Sequence, residues 1–260
     1  EKLHDSRFSV RNLIRMSNVK LICTTDDPVD DLCWHKKIKA DSSFDVQVLP
    51  AWRPDRAANI EKPDFVDYVK RLSEVSGVSI TDFASLMGAL SERLDYFEAN
   101  GCKVSDHGLS YVAYAPADES TVDSIFRRAL AGEAVDELEN RQYKTAFMVN
   151  LAREYNRRGW VMQLHYGCKR DNNTFMYNRI GPDTGFDCID DYTPAAQLAD
   201  FLNALAITDE VPKTIIYSLN PADDAAIGTI TGCFQGGGVK NRIKQGSAWW
   251  FNDNYMGMVN

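Results

Sequence analysis

Several common sequence features are absent from these 260 residues, and each absence excludes a class of protein. No apolar run approaches the roughly 20 residues that a membrane-spanning helix needs. The six cysteines include no C-x-x-C pair, which argues against zinc ribbons and thioredoxin-like redox sites. There are four histidines but no H-x-H and no H-E-x-x-H, so the residues by themselves predict no metal site.

Positive charge is also scarce, and this limits the partners. Lysine and arginine total 29 against 37 aspartates and glutamates, which gives a net charge of −8 and a pI of about 5.1. Nucleic acids and anionic membranes are bound through basic surfaces, so neither is expected as a partner. An anionic small molecule would have to be held by individually placed arginines.

The composition is that of a globular protein. Hydrophobic residues make up 44% of the chain and charged residues 25%, which is enough apolar material for a sizeable core. The cysteines are scattered, at positions 23, 33, 102, 168, 188 and 233. We therefore expect reduced thiols and a cytoplasmic protein rather than a disulfide framework.

Short apolar runs alternate with amphipathic helical stretches along the whole chain. The predicted strands are 20–25, 46–52, 102–107, 161–167, 214–220 and 242–251, of which the last has the weakest pattern. The first five are rich in Val, Ile and Leu, as expected for strands buried on both faces. The longest helix is predicted over 137–158, with Gly159 as its C-cap.

This alternation predicts an α/β protein with a parallel sheet covered by helices, in one domain over 1–260. Two architectures fit, a doubly wound open sheet and a (β/α)8 barrel. No G-x-G-x-x-G follows the first strand, and the glycines at 236–238 follow a helix, so a nucleotide-binding fold is disfavoured. Both architectures place the chemistry at the carboxyl ends of the strands.

Polar and aromatic residues follow nearly every predicted strand. Sugar hydroxyls need paired donors and acceptors, and sugar rings pack on aromatic faces, so this mixture suits a carbohydrate. Arg53 or Arg170 could grip the carboxylate of an acidic sugar.

Each candidate residue could also have a purely structural role, and the sequence alone does not decide between the functional and the structural interpretation. Asp27 precedes Pro28 and could cap a helix rather than act in a site. Asp106 and His107 could be a structural pair, and His165 could be a core histidine. Arg53 could shape a turn before proline, and one ring of the Trp249–Trp250 pair could belong to the core. His4 and His35 are expected to be solvated.

A set of longer motifs resembles one known family. They are TTDDP (24–28), LPAWRPD (49–55), GCKVSDH (101–107), LHYG…R (164–170), GPD-x-GFD (181–187), FQGGG (234–238) and GSAWWFND (246–253). Over essentially the whole chain they resemble the uronate isomerase, or glucuronate isomerase, family of the amidohydrolase superfamily. The resemblance implies a (β/α)8 barrel and the isomerisation of D-glucuronate to D-fructuronate and of D-galacturonate to D-tagaturonate, with proton transfer from C2 to C1 through a cis-enediol.

The resemblance also assigns roles by position. It implies catalytic roles for His165, Asp106 and His107. It implies substrate binding by Arg53, Arg170, Trp249 and Trp250, with the tryptophans as a wall for the sugar. A uronic acid is then the expected partner, and a homo-oligomer stays open.

The sequence departs from the family at the metal site. Family members are longer, and their divalent metal, commonly zinc, is held by an H-x-H after the first strand and an aspartate in a D-S-R segment after the last. Neither motif is present, so the six predicted strands correspond to the second through seventh barrel strands, and both ends look cut. The metal ligands and the favoured proton-transfer aspartate are expected outside this chain, with His165 as a weak candidate ligand. A metal-dependent hydrolase and an inactive acidic-sugar-binding fragment remain alternatives.

Overall fold

The computed structural model describes residues 4–236, 241–247 and 250–259. The strands are β1 (Leu21–Cys23), β2 (Gln47–Leu49), β3 (Val104–Gly108), β4 (Val161–Tyr166), β5 (Cys168–Lys169), β6 (Cys188–Ile189), β7 (Lys213–Ser218) and β8 (Ile243–Gln245). The helices are α1 (Val10–Met16), α2 (Cys33–Ala40), α3 (Asp55–Ala58), α4 (Phe65–Ser76), α5 (Phe83–Ala99), α6 (Glu119–Leu130), α7 (Glu137–Arg158), α8 (Thr174–Ile180), α9 (Ala195–Ala206), α10 (Asp224–Cys233) and α11 (Tyr255–Val259).

The main strands are parallel and lie side by side in chain order. β1 pairs with β2, and a second sheet has the order β3-β4-β7-β8. Parallel bridges from Trp52 to Asp26 and to Ser105 join the two sheets. β5 and β6 form a separate antiparallel pair. They lie within residues 168–191 (the 168–191 segment). A doubly wound sheet reverses its strand order at a switch point, and the order of the described strands contains no reversal.

Helices cover one face of this sheet. α4, α5, α6, α7 and α9 each bury an apolar stripe, with side chains such as Phe65, Leu90, Phe126 and Leu202 at 2% exposure or less. Their 3.6-residue spacing places these side chains on a single helix face, which packs on the strands. No described helix has the length and apolarity that crossing a lipid bilayer would require.

The strands alternate between the helix-covered face and an inner face. In β3 and β4 every second residue is buried and the intervening residues are half-buried. The buried set includes Ser105, His107 and Leu164, whereas Asp106 and His165 belong to the half-buried set. The prediction of strands buried on both faces is therefore wrong for β3 and β4, and their inner face carries polar side chains.

Most predicted elements are confirmed, and the errors concentrate at the C-terminal end. The 137–158 helix and its left-handed Gly159 cap are present as predicted. The strand predicted over 242–251 is wrong in extent, because β8 ends at Gln245 and Trp250–Asn252 forms a 3-10 turn. Trp249 lies outside the described residues. No helix begins at Pro28, since α2 starts only at Cys33.

Candidate active site

The side chain of Asp106, on β3, contacts residues on or just beyond three other strands on the inner face. Its Oδ1 lies 2.8 Å from Nδ1 of His165, which is on β4. Its Oδ2 accepts a 3.2 Å hydrogen bond from Thr25, just beyond β1, and lies 3.6 Å from Nη1 of Arg53, beyond β2. Three candidates predicted from separate motifs, Arg53, Asp106 and His165, are thus brought together.

The charges around Asp106 favour its ionised form. Burial of this carboxyl opposes ionisation, but the hydrogen bond from His165 and the positive charge of Arg53 together outweigh burial, so its pKa lies below the usual value. An ionised carboxylate can only accept a hydrogen bond, so a proton on Nδ1 of His165 would complement Asp106 at this distance. In the neutral imidazole the lone pair then lies on Nε2, where it can accept a proton or bind a ligand.

Arg53 is held in place from two sides. Its Nε donates a 2.8 Å hydrogen bond to Oδ2 of Asp55, which also accepts from the backbone N–H of Gly108 at 3.0 Å. A Cβ added at Gly108 would lie 2.2 Å from Nη2 of Arg53, so any other residue there would displace the guanidinium from this position. Burial raises the pKa of Asp55, and the charge of Arg53 works against that rise. The arginine is therefore fixed before any ligand binds.

His107 does not lie with these residues. Side chains alternate between the two faces of a strand, and the His107 ring is in the helix layer at 1% exposure. Its Nε2 lies 3.1 Å from the hydroxyl of Tyr155 on α7. Burial lowers the pKa of His107 to about 3, so the ring is neutral at pH 7. Its catalytic role stays a prediction, and its placement favours the structural interpretation.

Arg170 and Trp250 form a second cluster farther along the chain. The guanidinium of Arg170 lies 5.4 Å from the ring centroid of Trp250, within the range of a cation–π contact. It also makes ion pairs of 3.1 Å with Asp183 and 3.3 Å with Asp187. Arg170 is therefore already engaged by the acidic side chains of the 168–191 segment.

A cleft of about 960 Å³ connects the two arginines. Arg53, Asp55 and Gly108 line one part of it, and Arg170 and Asp183 line another. Pockets for small molecules typically measure about 300–1,000 Å³. The cleft is thus large enough for a monosaccharide, and its walls carry both charged groups and hydrogen-bonding groups.

Comparison with known proteins identifies the family of this chain. A family model described as glucuronate isomerase matches residues 1–260. This chain belongs to the glucuronate isomerase family. It is 62% identical to the uronate isomerase of Lachnoclostridium phytofermentans and 59% identical to that of Lachnospira eligens, each over 259 residues.

The chain spans about half the length of the curated relatives it matches. The two alignments cover all of this chain but 56% and 55% of those uronate isomerases. A crystal structure of uronate isomerase from Thermotoga maritima superimposes with a TM-score of 0.88 at 33% identity, over 95% of this chain and 53% of that one. Glucuronate isomerase from Caulobacter crescentus, at 24% identity and a TM-score of 0.86, shares the fold over 99% of this chain and 52% of its own.

The described residues do not fit a complete glucuronate isomerase metal site. Among them, no group of three or more His, Cys, Asp or Glu side chains is placed to hold a metal ion. His165 and Asp106 are paired with each other and offer two donors at most, fewer than the three protein ligands of a typical catalytic zinc. We therefore derive no reaction step through a metal from these residues.

The residues around the end of β1 have structural contacts. Asp27 accepts hydrogen bonds from the backbone N–H of Val29 and the hydroxyl of Tyr68. The prediction that His35 is solvated is wrong, because its side chain is 11% exposed and its Nε2 lies 2.7 Å from the hydroxyl of Thr24. These contacts stabilise the segment that follows β1.

Sequence reasoning missed three residues that contact the site. They are Thr25 on Asp106, Asp55 on Arg53, and Tyr217, whose ring stacks on His165 at 4.3 Å. Thr25 and Asp55 lie within the motifs that carry the family resemblance. Thr25 is two residues after the end of β1, and Asp55 is two residues after Arg53. Tyr217 could have been found from strand alternation, because it shares its face of β7 with Ile215.

Proposed function

We propose that the full-length protein containing this chain is a uronate isomerase that interconverts D-glucuronate and D-fructuronate, and D-galacturonate and D-tagaturonate. The observation that carries the proposal is the convergence of Arg53 and His165 on Asp106 at the strand ends. A cation beside a histidine–carboxylate pair is suited to binding an acidic sugar and moving a proton on it.

We also propose that residues 1–260 form part of a single (β/α)8 barrel and cover approximately its second through seventh strands. The parallel strands in chain order support this arrangement. A cytoplasmic location is proposed from the scattered cysteines, and the uronic acid is proposed as the partner molecule.

In this mechanism Arg53 binds the substrate carboxylate or polarises its hydroxyls. Asp106 holds the proton on Nδ1 of His165, so that Nε2 can exchange a proton with a substrate oxygen as the enediol forms and collapses. Asp55 and Gly108 keep the guanidinium in one position, which lowers the entropic cost of orienting the sugar.

A divalent metal, zinc by the family resemblance, belongs to this proposal for the full-length protein. Its main ligands would come from segments outside this chain.

The test is an assay of the purified full-length protein on several substrate classes. D-glucuronate and D-galacturonate should be converted to ketoses, detected by NMR, whereas uronate lactones and sugar amides should not be hydrolysed. Neutral D-glucose, which lacks the carboxylate, is the matched control. Hydrolysis of lactones or amides without ketose formation would instead support a hydrolase, and binding without turnover an inactive sugar-binding protein.

A further inference from the structure

Tyr217 packs directly on the histidine of the site. His165 on β4 and Tyr217 on β7 are register partners, so their side chains leave the same face of neighbouring parallel strands. The two rings are stacked with centroids 4.3 Å apart and an angle of 10° between their planes. The stack restrains the plane of the imidazole, while Asp106 restrains its rotation within that plane.

The far end of the tyrosine ring is anchored as well. Its hydroxyl donates a 3.2 Å hydrogen bond to Oε1 of Gln163, and Nε2 of Gln163 donates to the backbone oxygen of Ser105 at 3.3 Å. Burial, and to a smaller extent the charge of Asp106, raises the pKa of Tyr217, so the phenol stays protonated and can donate. The ring is therefore tied to β4 directly and to β3 through Gln163.

Gly246 closes the space around this ring from the other neighbouring strand. It follows β8, and its backbone N–H donates to the oxygen of Ile216 at 2.8 Å. A Cβ built on Gly246 would lie 2.2 Å from two carbons of the Tyr217 ring, closer than real side-chain atoms approach. This glycine is required for space, since no positive φ demands it.

We propose that Tyr217 is a positioning residue for His165, and that Gly246 is needed to seat Tyr217. The inference rests on the proposed isomerase function and deepens it. In this role Tyr217 touches no substrate and acts by fixing the direction in which Nε2 of His165 points. An imidazole whose Nε2 shifts by a fraction of an ångström loses alignment with its substrate oxygen, whereas Arg53 keeps its hydrogen bond to Asp55.

The test compares variants of the full-length protein on D-glucuronate. Tyr217→Leu should lower kcat by about 10- to 100-fold with KM changed by less than about threefold. Tyr217→Phe keeps the stack and should stay within about fivefold of the wild type, and Gly246→Ala should resemble Tyr217→Leu. Gly88→Ala is the matched control, since a Cβ there meets nothing within 4 Å. Equal kcat values for Tyr217→Leu and wild type, or equal losses in Tyr217→Phe and Tyr217→Leu, would overturn the proposal.

A second measurement is independent of turnover. A stacked aromatic ring shifts the NMR resonances of protons near it, so the Hε1 resonance of His165 should move in Tyr217→Leu and remain in place in Tyr217→Phe; His165→Gln assigns the peak. An unmoved resonance in Tyr217→Leu would overturn the positioning role even if uronates are substrates. If the wild-type protein turns over no uronate, the proposed function fails, and this shift still decides the contact. Should Tyr217→Leu not fold, Gly246→Ala gives the same two readouts.

Discussion

Replacing Arg53 with alanine in the full-length protein is expected to lower kcat/KM for D-glucuronate by about 10- to 150-fold. Loss of a hydrogen-bonded charge on the substrate costs about 1.5–3 kcal/mol, which converts to this factor. The variant also leaves Asp55 and Asp106 without the cation that lies 2.8 Å and 3.6 Å from their carboxylates. Steady-state kinetics on D-glucuronate measure the effect.

Two further variants separate substrate binding from a general loss of charge. Arg53→Lys keeps the charge but not the fork of donors, so an intermediate loss is expected. Arg127→Ala removes an arginine that pairs with Asp82 and Asp123 on the protein surface, and it should leave kcat/KM unchanged. If Arg53→Ala keeps both kcat and KM at wild-type values, Arg53 does not hold the substrate.

Acidification is expected to destabilise the protein through His107. Burial lowers the pKa of this histidine from 6.5 to about 3, so the unfolded chain takes up a proton there that the folded protein rejects. The stability contribution of the neutral ring is thus fully present above pH 6.5 and is lost as the pH falls toward 3. At about 1.4 kcal/mol per pH unit, His107 alone accounts for about 2 kcal/mol between pH 7 and 5, and about 4 kcal/mol by pH 3.

Urea unfolding at pH 7 and pH 5 measures this contribution. His107→Gln should be less stable at pH 7, because the contact with Tyr155 changes, but it should lose about 2 kcal/mol less than wild type on acidification. His4→Gln is the matched control, since it removes an exposed histidine. Equal acid sensitivity of His107→Gln and wild type would show that His107 takes up its proton in the folded protein.

The strands and the polar residues near their carboxyl ends could be predicted from the sequence, because short runs rich in Val, Ile and Leu have a strong local signature. Arg53 follows β2, Asp106 lies within β3 and His165 lies near the end of β4, and the parallel order of the strands brings them together. The same period of two could have separated His107 from Asp106, since adjacent residues of a strand face opposite sides. Alternation alone, however, does not say which face the helices cover.

Other features depended on contacts that no local pattern encodes. The environment of His35 is set by Thr24 and Asp26, which follow β1, and the helical spacing around His35 does not predict these contacts. β8 is short, since its pairing with β7 ends at Gln245, and Trp250–Asn252 forms a 3-10 turn instead of continuing the strand. The hydrogen bond between Arg53 and Asp55 depends on the space beside Gly108. Gly108 belongs to β3, so the WRPD motif alone does not reveal this dependence.

In the proposed site, Asp106 joins Arg53 and His165 into one arrangement that acts on a uronate. The kcat/KM of Asp106→Asn for D-glucuronate in the full-length protein tests this role directly. The amide lacks the charge that holds the proton on Nδ1 of His165 and that faces Arg53, so a loss of about 100-fold or more is predicted. Asp64→Asn, which changes an exposed partner of Arg56, should keep wild-type kinetics. If the Asp106→Asn variant converts D-glucuronate at the wild-type rate, the Asp106 carboxylate is not needed for the reaction.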